Sequence, residues 1–237
     1  MHNSRTPLMK WILTMYLVSQ QDSINAVRLA DVIQVTYKTA WLMLHKLRDA
    51  MSQVEEEELL SGEVQIHTHV YGLQRCKPTF NRLAHEHPIL IGSSHHVGEE
   101  NSLTHLKLHQ LTTPDLDGNL LTKYGAAQFS ERHVEQSATI TSIVQHYGRT
   151  RRIPILHHYV TDTISWMNWK FNGIGGKHLQ AYLHEYCYRF NRVVRHQSAF
   201  NTLVLTSMLR RYPTYKDLVA RDYRRRYEFN SHGLQAA

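Results

Sequence analysis

Cysteine is scarce: Cys76 and Cys187 are the only two in 237 residues. They lie far apart and form no CxxC pair, so neither a zinc ribbon nor a disulfide framework is encoded. Long apolar runs are missing as well. Nothing approaches the ~20 consecutive apolar residues that span a bilayer. The run Leu8–Val18 contains Lys10 and Trp11, lacks a small-residue cleavage site and does not read as a signal peptide. The expectation is a cytoplasmic protein without a membrane partner. No internal repeat is visible.

The chain has 42 % hydrophobic residues, enough to fold, and room for a small N-terminal module plus one larger domain. Lys and Arg number 27 against 20 Asp and Glu, a formal net charge of +7. A basic balance favours polyanion partners, because each neutralised phosphate releases counterions. Arg210, Arg211, Arg221 and Arg224–Arg226 load the C-terminal end. The acidic run Glu55–Glu58 reads as a solvated linker face. Eighteen histidines invite a metal-binding reading beside the plainer one of compositional drift.

Thr6-Pro7 opens a first helix, Thr as N-cap and Pro at the first helical position. Leu8, Trp11, Ile12, Met15 and Val18 then mark one helical face. A second helix carries Val27, Ala30, Val32 and Ile33, and Gln34-Val35 makes a tight connection. Thr36 caps a third helix from Tyr37 to about Met51, with Trp41, Leu44 and Leu47 as its core side. Helix, short turn, helix is the helix-turn-helix pattern, with Gln34 where a Gly often sits. A plain helical packing module is the alternative.

Beyond Ser61-Gly62 the period changes. Val64, Ile66, Thr68 and Val70 alternate with Gln65, His67, His69 and Tyr71, predicting a strand with two unlike faces that ends at Gly72. His87–Gly92 reads as a buried strand and Leu103–Leu111 as a third, joined by the turn-rich loop Ser93–Asn101. Asp115–Asn119 is a turn; its D-x-D-G-N text lacks the Glu that a calcium loop needs at its twelfth position. Ala126–Val134 suits a helix and Ala138–Val144 a short strand. Thr161 can cap a helix bearing Asp162, Trp166 and Trp169. Gly173–Gly176 is a loop, and Lys177 to about Val193 is the best-marked helix, with Leu179, Tyr182, Leu183, Tyr186 and Phe190 on one face.

Two stretches carry a resemblance. Thr36–Met51, TYKTAWLMLHKLRDAM, resembles the helix-turn-helix signature of insertion-sequence transposases of the ISXO-two-like group. Lys177–Arg192, KHLQAYLHEYCYRFNR, resembles the same group's C-terminal signature. The likeness covers Thr6–Met51 and His157–Arg192 and is looser between. It implies an α/β fold: a helix-turn-helix module over 1–54, a linker over 55–62, a ribonuclease-H-like mixed-sheet core over 63–195 and a basic helical tail over 196–237. It also implies double-stranded DNA as partner, a homo-oligomer, a nucleoid location, and a triad of carboxylates holding two Mg²⁺ ions for phosphodiester cleavage and strand transfer.

The sequence departs from that triad, and the group's N-terminal zinc ribbon is missing. His67 takes the first Asp position. Ser142 lies nearest the second, which has no acid. Asp162, four residues before Trp166, matches the third. Magnesium wants hard oxygen ligands, and one carboxylate remains. Asp162 is read either as a surviving metal ligand or as a helix N-terminal Asp favoured by the dipole. His67 and His69 share a strand face and are read either as Zn²⁺ or Mn²⁺ ligands with Asp162 or as satisfied histidines. The expected DNA contacts are Thr36, Tyr37, Lys38, Thr39, His45, Lys46 and Arg48 on the recognition helix, with Lys177, Arg189 and Arg192 lining a channel. Three functions follow: a DNA-binding protein that no longer cuts, a nuclease or transposase with an altered ligand set, and a non-catalytic assembly partner.

Overall fold

The computed structural model describes residues 6–72, 86–95, 103–118, 120–145, 153–209 and 212–220. Cys76, Asn119 and the arginines at 210, 211, 221 and 224–226 lie outside them. Three helices open the chain: α1 (Leu8–Ser19), α2 (Ala26–Ile33) and α3 (Tyr37–Glu57). Pro7 itself is the N-cap of α1, one residue later than expected. Asn25 caps α2 by accepting from the Arg28 amide at 2.9 Å. Gln34 ends α2 in the left-handed region, φ +52°, the conformation for which a glycine would be the unstrained choice. Its carbonyl accepts from Lys10 Nζ at 2.9 Å, which ties the turn to α1. Thr36 caps α3 as predicted, accepting from the Thr39 amide at 3.2 Å.

The α3 helix runs past Met51 to Glu57. The expected linker is therefore partly its last turn, and Glu55 is buried instead of solvated. The physical reason is local compensation: Asn191 donates to Glu55 at 2.9 Å, and Arg192 and Arg195 pair with Glu58 at 2.6 and 3.0 Å.

Strands β1 (Glu63–Tyr71), β2 (His87–His95) and β3 (Leu103–Gln110) follow. A turn at Thr113–Asp115 leads to the short pair β4 (Leu116–Asp117) and β5 (Leu120–Leu121), then α4 (Lys123–His133) and β6 (Thr139–Val144). The main sheet has the order β3-β2-β1-β6. The first three strands are an antiparallel meander; β6 returns parallel to β1 after α4. The expected loop start at Ser93 is absorbed into β2, because Ser93–His95 continue the pairing with β3.

The chain ends in α5 (Pro154–Phe171), α6 (Leu179–Val194), α7 (Ala199–Leu209) and α8 (Tyr215–Val219). Thr161 is mid-helix in α5, not a cap, since Pro154 at the first turn already starts it. One sheet face, with Ile89, Ile91, Leu106 and Leu108, packs on Leu156, Val160, Leu179 and Leu183 of α5 and α6. The other face, with Val64, Ile66 and Leu90, packs on Phe129 of α4, Leu60 and Val134. Gly92 permits this second packing: a Cβ there would lie 2.8 Å from Leu60 Cδ1 and 2.9 Å from Phe129 Cζ. A third core joins α1, α2 and α3 to α7 and includes Tyr188 of α6. No helix among the described residues is long and apolar enough to cross a membrane.

Helix α6 is the hinge of this architecture, and it closes one sheet edge. Asn191 accepts from the Leu106 amide at 2.8 Å and donates to the Leu106 carbonyl at 3.0 Å. Gln180, about three turns earlier on the same face, accepts from the Gln110 amide at 2.6 Å and donates to the Leu108 carbonyl at 2.9 Å. Two side-chain amides thus stand in for the missing neighbour strand of β3.

Candidate nucleic-acid interface and the expected metal positions

The three positions implied for a metal site do not converge. His67 sits mid-β1, buried, with Ile91 of β2 and Val144 of β6 as its neighbours. Alternation puts it on the α5 face with His69, and both rings approach His157: centroids are 6.4 Å apart for His67–His157 and 5.3 Å for His69–His157. Ser142 pairs with Gln65, one strand repeat short of His67. Asp162 is exposed on α5, five residues beyond His157. That spacing turns it by ~140° and shifts it by ~7.5 Å along the helix. There it accepts from Tyr186 Oη at 2.6 Å. Burial, then this bond, raises the Tyr186 phenol well above its ordinary pKa.

A magnesium pair does not fit this donor set. One carboxylate, engaged with a phenol on α6, stands apart from an imidazole and a hydroxyl on the sheet; Mg²⁺ requires converging oxygens. Among the described residues no group of three His, Cys, Asp or Glu side chains could hold a metal ion. The dipole reading of Asp162 is also corrected: it lies in the middle of α5, away from the N-terminal turn where the dipole acts.

The DNA candidates divide into two sets. Helix α3 has three sides. Ala40, Met43, Leu44 and Leu47 face the helical core. Arg48 and Glu55 face α6. Lys38, Thr39, Leu42 and Lys46 make up the third side, with Thr36 and Tyr37 exposed at its start. Trp41, expected in the main core, packs instead with Leu42 in a small cluster beside Ala181 and Leu218.

His45 and Arg48 are corrected as DNA contacts, since both are about 1 % exposed. His45 lies between the rings of Trp41 at 4.1 Å and His178 at 4.8 Å. Burial, with Arg48 and His178 nearby, pushes its pKa well below the ordinary value and keeps it neutral. Arg48 Nε donates to Glu185, and its guanidinium stacks 4.0 Å from the Tyr182 ring centroid.

Arg189 and Arg192 do not line a channel either. Arg189 donates to the Gln21 carbonyl, stands 4.0 Å from Glu185 and stacks at 4.6 Å on Trp166. Arg192 is paired bidentately with Glu58, at 2.6 and 3.2 Å. Lys177 gives its Nζ to the Val219 carbonyl at 2.8 Å.

Sequence reasoning missed Glu185 and Ser23. Glu185 is fully buried and accepts from both Arg48 and Ser23, so one carboxylate ties α3, the α1–α2 loop and α6 together. The available signal was the polar content of α6: Gln180, His184 and Asn191 form one stripe and Glu185, Arg189 and Arg192 a second, and all six are buried. A polar helix enclosed by protein must have partners, and charged partners most of all.

No protein-family model, no curated protein and no solved structure matches the chain.

Proposed function

We propose that the chain is a transposase-like, DNA-binding protein of an insertion sequence that does not cut DNA. The observation carrying this reading is the α2–turn–α3 unit on a basic chain. Gln34 closes the turn in a left-handed conformation, Thr36 caps α3, Thr36 and Tyr37 are exposed at its start, and Lys38, Thr39 and Lys46 lie on its one outward side. Hydroxyls and cations at the start of such a helix suit phosphate and base-edge contact. The mixed sheet flanked by helices on both faces agrees, at the coarse level, with a ribonuclease-H-like core. A nucleoid-associated place in the cytoplasm goes with this reading. The donor set at His67, Ser142 and Asp162 argues against metal-dependent strand scission.

A second reading, self-assembly, is favoured by one surface. Leu8, Met9 and Tyr16 of α1, with Leu205 and Met208 of α7, are exposed, and α7 carries no charged residue. A charge-free face lets two copies with a net charge of +7 approach without local repulsion.

The test of the first reading is a salt titration with a mixed-sequence duplex. Binding is expected to weaken linearly in log salt, and Lys38→Ala and Lys46→Ala are each expected to lower the slope by about 1. Supercoiled plasmid is expected to stay intact with Mg²⁺ and with Mn²⁺. No binding at low salt removes the reading; metal-dependent nicking replaces it with the altered-ligand enzyme.

A further inference from the structure

Resting on the reading of α3 as a DNA-binding helix, we propose that α8 is a removable cover on that helix, so that the C-terminal segment restrains DNA binding by its own chain.

The outward side of α3 is narrow, since its other two sides pack on the helical core and on α6. Helix α8 sits on the N-terminal half of that side. Leu218, fully buried, inserts beside Trp41, Leu42 and Ala181. The Tyr215 ring lies 6.1 Å from Trp41, and the Lys38 ammonium rests 4.3 Å over the same tyrosine. The Lys177 ammonium donates to the Val219 carbonyl and pins the far end. Lys38 and Trp41 of α3 and Lys177 ahead of α6 are thus engaged by α8. A duplex lying along α3 meets α8 first.

The attachment suits a reversible cover. Five residues are too few to form a stable helix in water, so α8 keeps its helical form only while docked. Its internal support is one capping box, Thr214 with Asp217. Its anchor is one apolar side chain, Leu218, in a cluster of four residues separate from the three larger cores. Undocking α8 would free Lys38 from the Tyr215 ring and Lys177 from the Val219 carbonyl, and leave the packing of Ala40, Met43, Leu44 and Leu47 as it is.

The expected size of the effect follows from populations. A cover closed in about nine molecules of ten weakens apparent DNA affinity about tenfold.

The test uses the full chain with Leu218→Asp, which keeps every arginine and lysine, and measures binding of a mixed-sequence duplex beside hydrogen exchange over residues 215–219. The expected result is faster exchange there and about tenfold tighter binding. A gain would oppose the added negative charge, which alone weakens DNA binding. Tyr215→Ala, at a half-exposed ring outside the larger cores, is the second variant should Leu218→Asp unfold; a smaller gain in the same direction is expected. Faster exchange with unchanged or weaker binding overturns the cover while leaving α3 as the DNA element. Unchanged exchange in both variants overturns it too, because Leu218 and Tyr215 then do not hold α8 in place. If neither wild type nor variant binds DNA although exchange has risen, the DNA reading falls and the cover with it.

Discussion

Replacing Glu185 by alanine is expected to lower stability by about 3–5 kcal/mol, the usual penalty for removing one partner of a buried ion pair. Two guanidiniums would lose their carboxylate: Arg48, whose Nε donates to Glu185, and Arg189, 4.0 Å away. Both are buried, and the stacking of Arg48 on Tyr182 and of Arg189 on Trp166 does not replace a carboxylate. A domain holds about 5–15 kcal/mol in all, so the loss brings unfolding within reach of ordinary temperatures. Urea unfolding of Glu185→Ala beside the pair Arg48→Met with Glu185→Gln checks it. The pair should recover part of the loss, since it removes one charge with its partner. A Glu185→Ala protein as stable as wild type would mean that this carboxylate does not join the N-terminal helices to α6.

The second large effect is expected with pH. His45, His133 and His184 have pKa values held well below 6.5, His178 is lowered to about 4 and His105 to about 2, burial being the main cause in each. Neighbouring basic groups add to it: Lys107, Arg195 and Arg192 around His105, and Lys107, Arg132 and His109 around His133 and His184. These groups take up protons mainly on unfolding. Their stabilising contribution is complete above about pH 6.5 and is lost as pH falls from there toward the folded values. Each contributes a slope of up to ~1.4 kcal/mol per pH unit. Glu55 acts in the opposite sense. Burial raises it from 4.5 to about 8, so its contribution is complete below 4.5 and lost as pH rises through 8. Several histidines outweigh one carboxyl below pH 6.5, while the loss from Glu55 continues up to about 8. Urea midpoints should therefore peak near pH 6.5, fall steeply toward pH 5 and fall more gently between 6.5 and 8. A midpoint unchanged between pH 7 and 5 would contradict the burial of these histidines.

Local structure was legible because it depends on neighbours in sequence. The period-3.6 marks of α1 and α3, the Thr36 cap and the period-2 alternation of β1 need only a few residues each, and they appear where expected. The terminus of α3 was not legible. Glu55–Glu58 looks like a solvated acidic run, and only the approach of Asn191, Arg192 and Arg195, over 130 residues away, makes burial affordable there. The same holds for the site. Lys38 and Lys46 could be placed on an outward side by spacing alone. Arg48, Arg189 and Arg192 look identical to DNA-contacting arginines until Glu185 and Glu58 are found beside them. Gln180 and Asn191 read as ordinary polar positions, yet they complete the β3 edge. The C-terminal signature, whose Arg189 and Arg192 read in sequence as either a DNA channel or a solvated basic face, is in the fold an internal brace.

Hydrogen exchange of the full-length protein with and without a mixed-sequence duplex at low salt tests this division most directly. The account expects new protection at amides 36–46, faster exchange over Tyr215–Val219 as the cover leaves, and no change along Leu179–Val194. Protection along Leu179–Val194 with none at 36–46 would contradict it, because DNA would then be held by the helix assigned here to packing.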